Sequence, residues 1–79
     1  MSTFHLPPLE PVLSSNLARV GYDAASETLV VEFRPATLYA YEGVPPDLYR
    51  ALLLAPSKGA FLNAAVKGVY PYRRLEVAA

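Results

Sequence analysis

The sequence predicts an α+β fold, with a three-stranded antiparallel meander followed by two helices packed on one face of the sheet. Three observations predict it. Short segments of alternating polarity fill the first half of the chain, helical apolar spacing replaces them after Pro45-Pro46, and 79 residues leave room for a single domain.

Pro7, Pro8 and Pro11 make residues 1–13 an extended N-terminal arm. Ser14, Ser15 and Asn16 then open the ordered domain, expected over residues 14–76, with 77–79 as a tail. Leu17 to Tyr22 reads as a strand, with Ala18, Val20 and Tyr22 on one face and Leu17 and Arg19 on the other. Asp23 to Glu27 has the length of a hairpin loop. Thr28 to Phe33 is the clearest strand, turning Leu29, Val31 and Phe33 to the face to be buried. Pro35-Ala36 turns the chain, because proline cannot donate to a ladder. Thr37 to Tyr41 is the third strand, with Tyr39 and Tyr41 on one face.

Pro45-Pro46 suits a helix start, where a missing N–H would be unpaired anyway. Leu48, Leu52 and Ala55 form the apolar stripe of that helix, and Pro56 ends it. Ser57 is the expected N-cap of a second helix, Gly68 its C-terminal stop, and Phe61, Leu62, Ala65, Val66 and Val69 its buried side. Tyr70 to Leu75 is an extended tail able to pack on the sheet.

Composition narrows the function. The chain has no cysteine, which removes disulfides and thiolate metal sites. No apolar run approaches the roughly 20 residues of a membrane span, and no secretory signal opens the chain. A cytoplasmic protein with no membrane partner is expected. A hydrophobic fraction of 53% is high for so short a chain and, with an exposed sheet edge, predicts a weak homodimer.

Formal net charge is zero, but the charges are sorted along the chain. Met1 to Asp47 holds six acids against Arg19 and Arg34. Leu48 to Leu75 holds Arg50, Lys58, Lys67, Arg73 and Arg74 and no acid. Either the second half builds a cationic face or the two halves pair with each other.

No catalytic constellation is visible. His5 stands in the proline-rich arm without a partner, the carboxylates are scattered, and no serine has a base beside it. An enzyme, a metal site and a cofactor are therefore not expected. Binding residues are more legible. Tyr39 and Tyr41 could stack unpaired bases or could pack beneath the helices, and aromatics at strand period are usually core. Ser57, Lys58 and Gly59 are a candidate anion site at a helix start, against the plainer reading of an ordinary cap. Tyr70, Tyr72, Arg73 and Arg74 mix rings with cations, which suits nucleic acid or a protein hot spot, or else a pinned tail.

The order of short motifs resembles a known family. Val12-Leu13-Ser14-Ser15, Gly21-Tyr22-Asp23, Tyr39-Ala40-Tyr41, Val44-Pro45 and Ser57-Lys58-Gly59 are followed by Phe61, Asn63 and Val66-Lys67-Gly68-Val69-Tyr70. This series, over Val12 to Leu75, is similar to the KTSC domain, found at the C-terminus of some lysyl-tRNA synthetases and as stand-alone small bacterial and phage proteins. The chain departs from it at Pro35-Ala36, where glycine is frequent, and at Val66-Lys67, where isoleucine-arginine is common. Lysine keeps the charge there but loses the bidentate fork. The resemblance implies no established activity; it suggests RNA binding through the synthetase association. The expected function is thus a non-enzymatic binding domain, with RNA or another nucleic acid as ligand at Tyr39, Tyr41, Lys58, Lys67, Tyr70, Tyr72, Arg73 and Arg74. The alternative is a protein-interaction module, including a phage or prophage factor acting on a host complex.

Overall fold

The computed structural model describes residues 6–34 and 37–75. His5, the Pro35-Ala36 turn and the 77–79 tail lie outside the described residues. The class is α+β, but the sheet has five antiparallel strands rather than three. They are β1 (Glu10–Pro11), β2 (Leu17–Asp23), β3 (Thr28–Phe33), β4 (Thr37–Tyr41) and β5 (Tyr72–Leu75), in spatial order β1-β2-β3-β4-β5. Helices α1 (Pro46–Leu54) and α2 (Lys58–Ala65) intervene between β4 and β5.

The two added strands cap the edges of the expected meander. Pro11 sits opposite Arg19, and proline is tolerated because β1 is an edge strand. At the other edge, Tyr72 pairs with Tyr41, Arg73 with Ala40, Arg74 with Tyr39 and Leu75 with Leu38. The tail joins the sheet because β4 would otherwise bare a row of unpaired backbone groups.

A bulge in β2 also revises the expected faces. Leu17 pairs with Phe33 while Arg19 pairs with Glu32, so β2 carries one residue more than β3 across that step. Leu17 thereby joins Val20 and Tyr22 on the helix side instead of sharing the face of Arg19. It is fully buried there, and Arg19 forms an ion pair with Glu32 on the opposite face.

The main core lies between the sheet and the helices. Leu17, Val20, Leu29, Val31 and Tyr41 from the strands meet Val44, Leu52, Leu62 and Val66. Tyr22 braces the β4–α1 connection: its hydroxyl donates to the Val44 carbonyl and its ring stacks on Tyr49 at 4.9 Å. The Ser57 hydroxyl accepts from the Ala60 N–H at 3.4 Å, capping α2 as expected. Gly68 takes φ +78°, a conformation that favours glycine, and ends the helical path. Val69, expected on the buried side, is therefore carried off that face and is exposed.

The reverse face of the sheet is also occupied. Val30, Leu38 and Ala40 are buried there, with Leu9 and Leu75 packed against them. The arm crosses this face at Gly21, where a Cβ atom would lie 2.5 Å from the Pro8 carbonyl oxygen and 2.7 Å from Leu9 Cδ2. Only a bare backbone allows that approach. Among the described residues, no helix is long and apolar enough to cross a membrane.

A candidate aromatic binding site on the β4–β5 edge

The helices cover the sheet as far as β4 but leave part of the same face open toward β5. Alternation along the strands sends Phe33, Tyr39, Tyr41, Tyr72 and Arg74 to this face. The rings form a contiguous array. Tyr39 meets Phe33 edge-on at 5.5 Å and Tyr72 edge-on at 5.3 Å, while Tyr41 and Tyr72 are tilted at 5.7 Å. Edge-to-face contacts at these separations fix ring orientation. Between them lies a recess of about 320 Å³ lined by Tyr39, Tyr41, Tyr72, Lys67 and Gly68.

The three tyrosines sit at different depths. Tyr41 is the floor, 3% exposed and part of the main core. Burial, with smaller effects of Tyr39 and Tyr72, raises its phenol above the usual value, so it remains a neutral donor. Tyr39 is half-buried, and Tyr72 stands up as an outer wall, 62% exposed. The paired tyrosines of β4 thus divide between core and surface.

Lys67 follows α2 and places its ammonium 4.9 Å from the centre of the Phe33 ring. Arg74 shares the aromatic face, and its side chain makes no ion pair or hydrogen bond among the described residues. Arg73, one residue earlier, points to the reverse face and meets Glu42 at 3.3 Å. Arg50 pairs with Asp47. The charge asymmetry therefore resolves both ways: Arg50 and Arg73 pair with acids from the first half, while Lys67 and Arg74 remain on the aromatic face.

The other expected site residues lie elsewhere. Tyr70 packs against the main core. Lys58 donates from Nζ to the Ala55 carbonyl at 3.0 Å, at the C-terminal end of α1. Ser57, Lys58 and Gly59 line a separate open recess with Asn16 and Asn63. Sequence reasoning missed Phe33 as a site residue because its alternation marks it as core. It also missed Asn16 and Asn63, which only the fold brings together. No cluster of three or more His, Cys, Asp or Glu side chains able to hold a metal occurs among the described residues.

A profile of the KTSC domain matches residues 13–70. The chain belongs to the KTSC domain family. An uncharacterised protein of Stutzerimonas stutzeri is 44% identical over 64 residues, spanning 80% of this chain and 90% of its own length. A lysine–tRNA ligase of Nostoc punctiforme is 35% identical over 69 residues, which are 87% of this chain but 12% of the ligase. The crystal structure of a KTSC domain protein from Yersinia pestis superposes with a TM-score of 0.85 at 33% identity, covering 87% of this chain and 97% of that one. The KTSC domain is thus a small unit that stands nearly alone in some proteins and forms a minor part of others.

Proposed function

We propose that this KTSC domain binds single-stranded nucleic acid, RNA foremost, on its aromatic face. Tyr72 and the exposed part of Tyr39 stack unpaired bases, and Lys67 and Arg74 take phosphates. The observation that carries this reading is the recess of about 320 Å³ in which Tyr39, Tyr41 and Tyr72 surround an open space bordered by Lys67. Base stacking on aromatic side chains contributes about 1–3 kcal/mol per base and tolerates any sequence. The lysine–tRNA ligases similar to this chain add support, since by name they act on a tRNA.

The scale of binding follows from the charge. Two cations on the face, Lys67 and Arg74, give a logarithmic salt slope of about −1.4 for a single strand. Affinity then falls only about sevenfold between about 50 and 200 mM salt, far less than for a polycationic binder. Fluorescence anisotropy with labelled RNA and DNA oligonucleotides at those salt concentrations tests the reading. Binding with this shallow slope, weakened by Tyr72→Ala, supports it. Absence of binding to either nucleic acid at low salt rejects it.

A protein partner is the second reading, favoured by Leu13 and Leu54, which stand 95% and 80% exposed. Self-association is one form of it, through the open edge of β5. Sedimentation at increasing protein concentration checks that form. A species that remains monomeric throughout removes it.

A further inference from the structure

We infer that a second recess, on the far side of Lys67, reads the identity of a base next to the stacked one; this rests on the nucleic-acid reading above. The recess measures about 240 Å³ and Lys67 lines both spaces, so the two adjoin around one side chain. Its chemistry differs from that of the aromatic recess. Phe33 forms one wall, and Asn16, Arg34 and Asn63 supply polar groups.

The carboxamides of Asn16 and Asn63 have no hydrogen-bond partner among the described residues. Each offers one acceptor and two donors at fixed spacing. A nucleobase edge presents donors and acceptors at a matching spacing, and unpaired RNA bases expose those edges. Lys67 is held over Phe33 at the boundary, where the phosphate linking two adjacent nucleotides would pass. A strand crossing from Tyr72 to Asn63 therefore meets stacking without sequence preference first, then a hydrogen-bonding surface.

Gly59 borders this recess, and a Cβ atom there would meet Asn16 Nδ2 at 3.5 Å, an ordinary contact. Gly59→Ala therefore narrows the recess without a clash and adds a residue that helices favour.

The test uses the full chain and labelled oligoadenylate, oligouridylate and oligocytidylate of about ten nucleotides at low salt, within the site sizes usual for single-strand binders. The parent is expected to separate its best from its worst ligand by about 5–150-fold, the discrimination of one bidentate contact. Asn16→Ala and Asn63→Ala should collapse that ratio toward one by weakening the best ligand most. Gly59→Ala should lower the ratio while melting no earlier than the parent. Equal affinities for all three oligonucleotides in the parent, or a parental ratio retained in both asparagine variants, overturns base reading and leaves the stacking site standing. A parent that binds none of them overturns both.

Discussion

The Lys67 ammonium lies 4.9 Å from the centre of the Phe33 ring, so a cation that could reach solvent is held at the margin of the aromatic face. Such a contact contributes about 0.5–1 kcal/mol at an exposed site. Lys67→Met should therefore change stability by no more than about 1 kcal/mol. In binding experiments it should reduce the logarithmic salt slope by about 0.7, one phosphate's share for a single strand. Lys67→Arg should keep the slope, since guanidinium also stacks on rings. Parallel melts and salt titrations of the two variants check both statements.

The tyrosines should separate by depth. Tyr41→Ala removes a ring that is 3% exposed and should cost about 3–5 kcal/mol, much of the stability of so small a domain. Tyr72→Ala removes a ring that is 62% exposed, so it should melt near the parent. It should nonetheless lose about 1–3 kcal/mol of oligonucleotide binding. Tyr39→Ala should do some of each. Thermal melts paired with anisotropy resolve the three.

Gly21→Ala probes the arm without touching the aromatic face. The added carbon would sit 2.5 Å from a backbone oxygen of Pro8, which cannot rotate away, so the arm must lift or the sheet must distort. Overpacking of this kind costs about 1–3 kcal/mol. Limited proteolysis should cut the arm sooner in the variant, while binding to oligonucleotides stays at the parental level. An arm cut at the parental rate would mean that the contact at Gly21 does not hold it.

Glu32 supplies an acid-sensitive element. Its hydrogen bonds with Arg19, at 2.6 and 3.2 Å, hold its carboxyl below the usual carboxylate range, against a partial opposing effect of burial. A depressed folded-state pKa means that this stabilisation is present above the unfolded value, about 4.3 for glutamate. It is lost as pH falls through the lower folded value. The parent's melting temperature should drop more steeply below about pH 4.3 than that of Glu32→Gln, which has no such proton to bind. Melts across an acid series check this.

The helices are legible because each carries its own punctuation: Pro45-Pro46 at the start of α1, Ser57 before α2 and Gly68 after it. The inner strands were legible because their alternation is regular. What was hidden depends on neighbours. Tyr72-Arg73-Arg74-Leu75 has no clean alternation and becomes a strand only because β4 offers it a ladder. Glu10-Pro11 contains a residue that argues against pairing, and an edge position removes the objection. The bulge beside Ala18 has no local sign, so simple alternation places Leu17 on the wrong face. Part of the layout of the candidate site is legible in the sequence: Tyr39, Tyr41, Lys67 and Tyr72 line one recess, and Arg74 lies opposite Tyr39 on the same sheet face. Their division into floor, wall and rim was not, because depth is set by where the helices stop covering the sheet.

The pairing of β5 with β4 makes the site a matter of parity. Tyr72 and Arg74 belong to the ligand-facing side only because Tyr72 stands opposite Tyr41 and Arg74 opposite Tyr39. The short connection of Val66 to Pro71 between α2 and β5 leads into that phase. A one-residue change in it that carries through to the β4 register would present Arg73 and Leu75 on the aromatic side and send Tyr72 behind the sheet. A change of two residues would restore the phase. The connection therefore works as a counter, and tolerance to its length should alternate between odd and even.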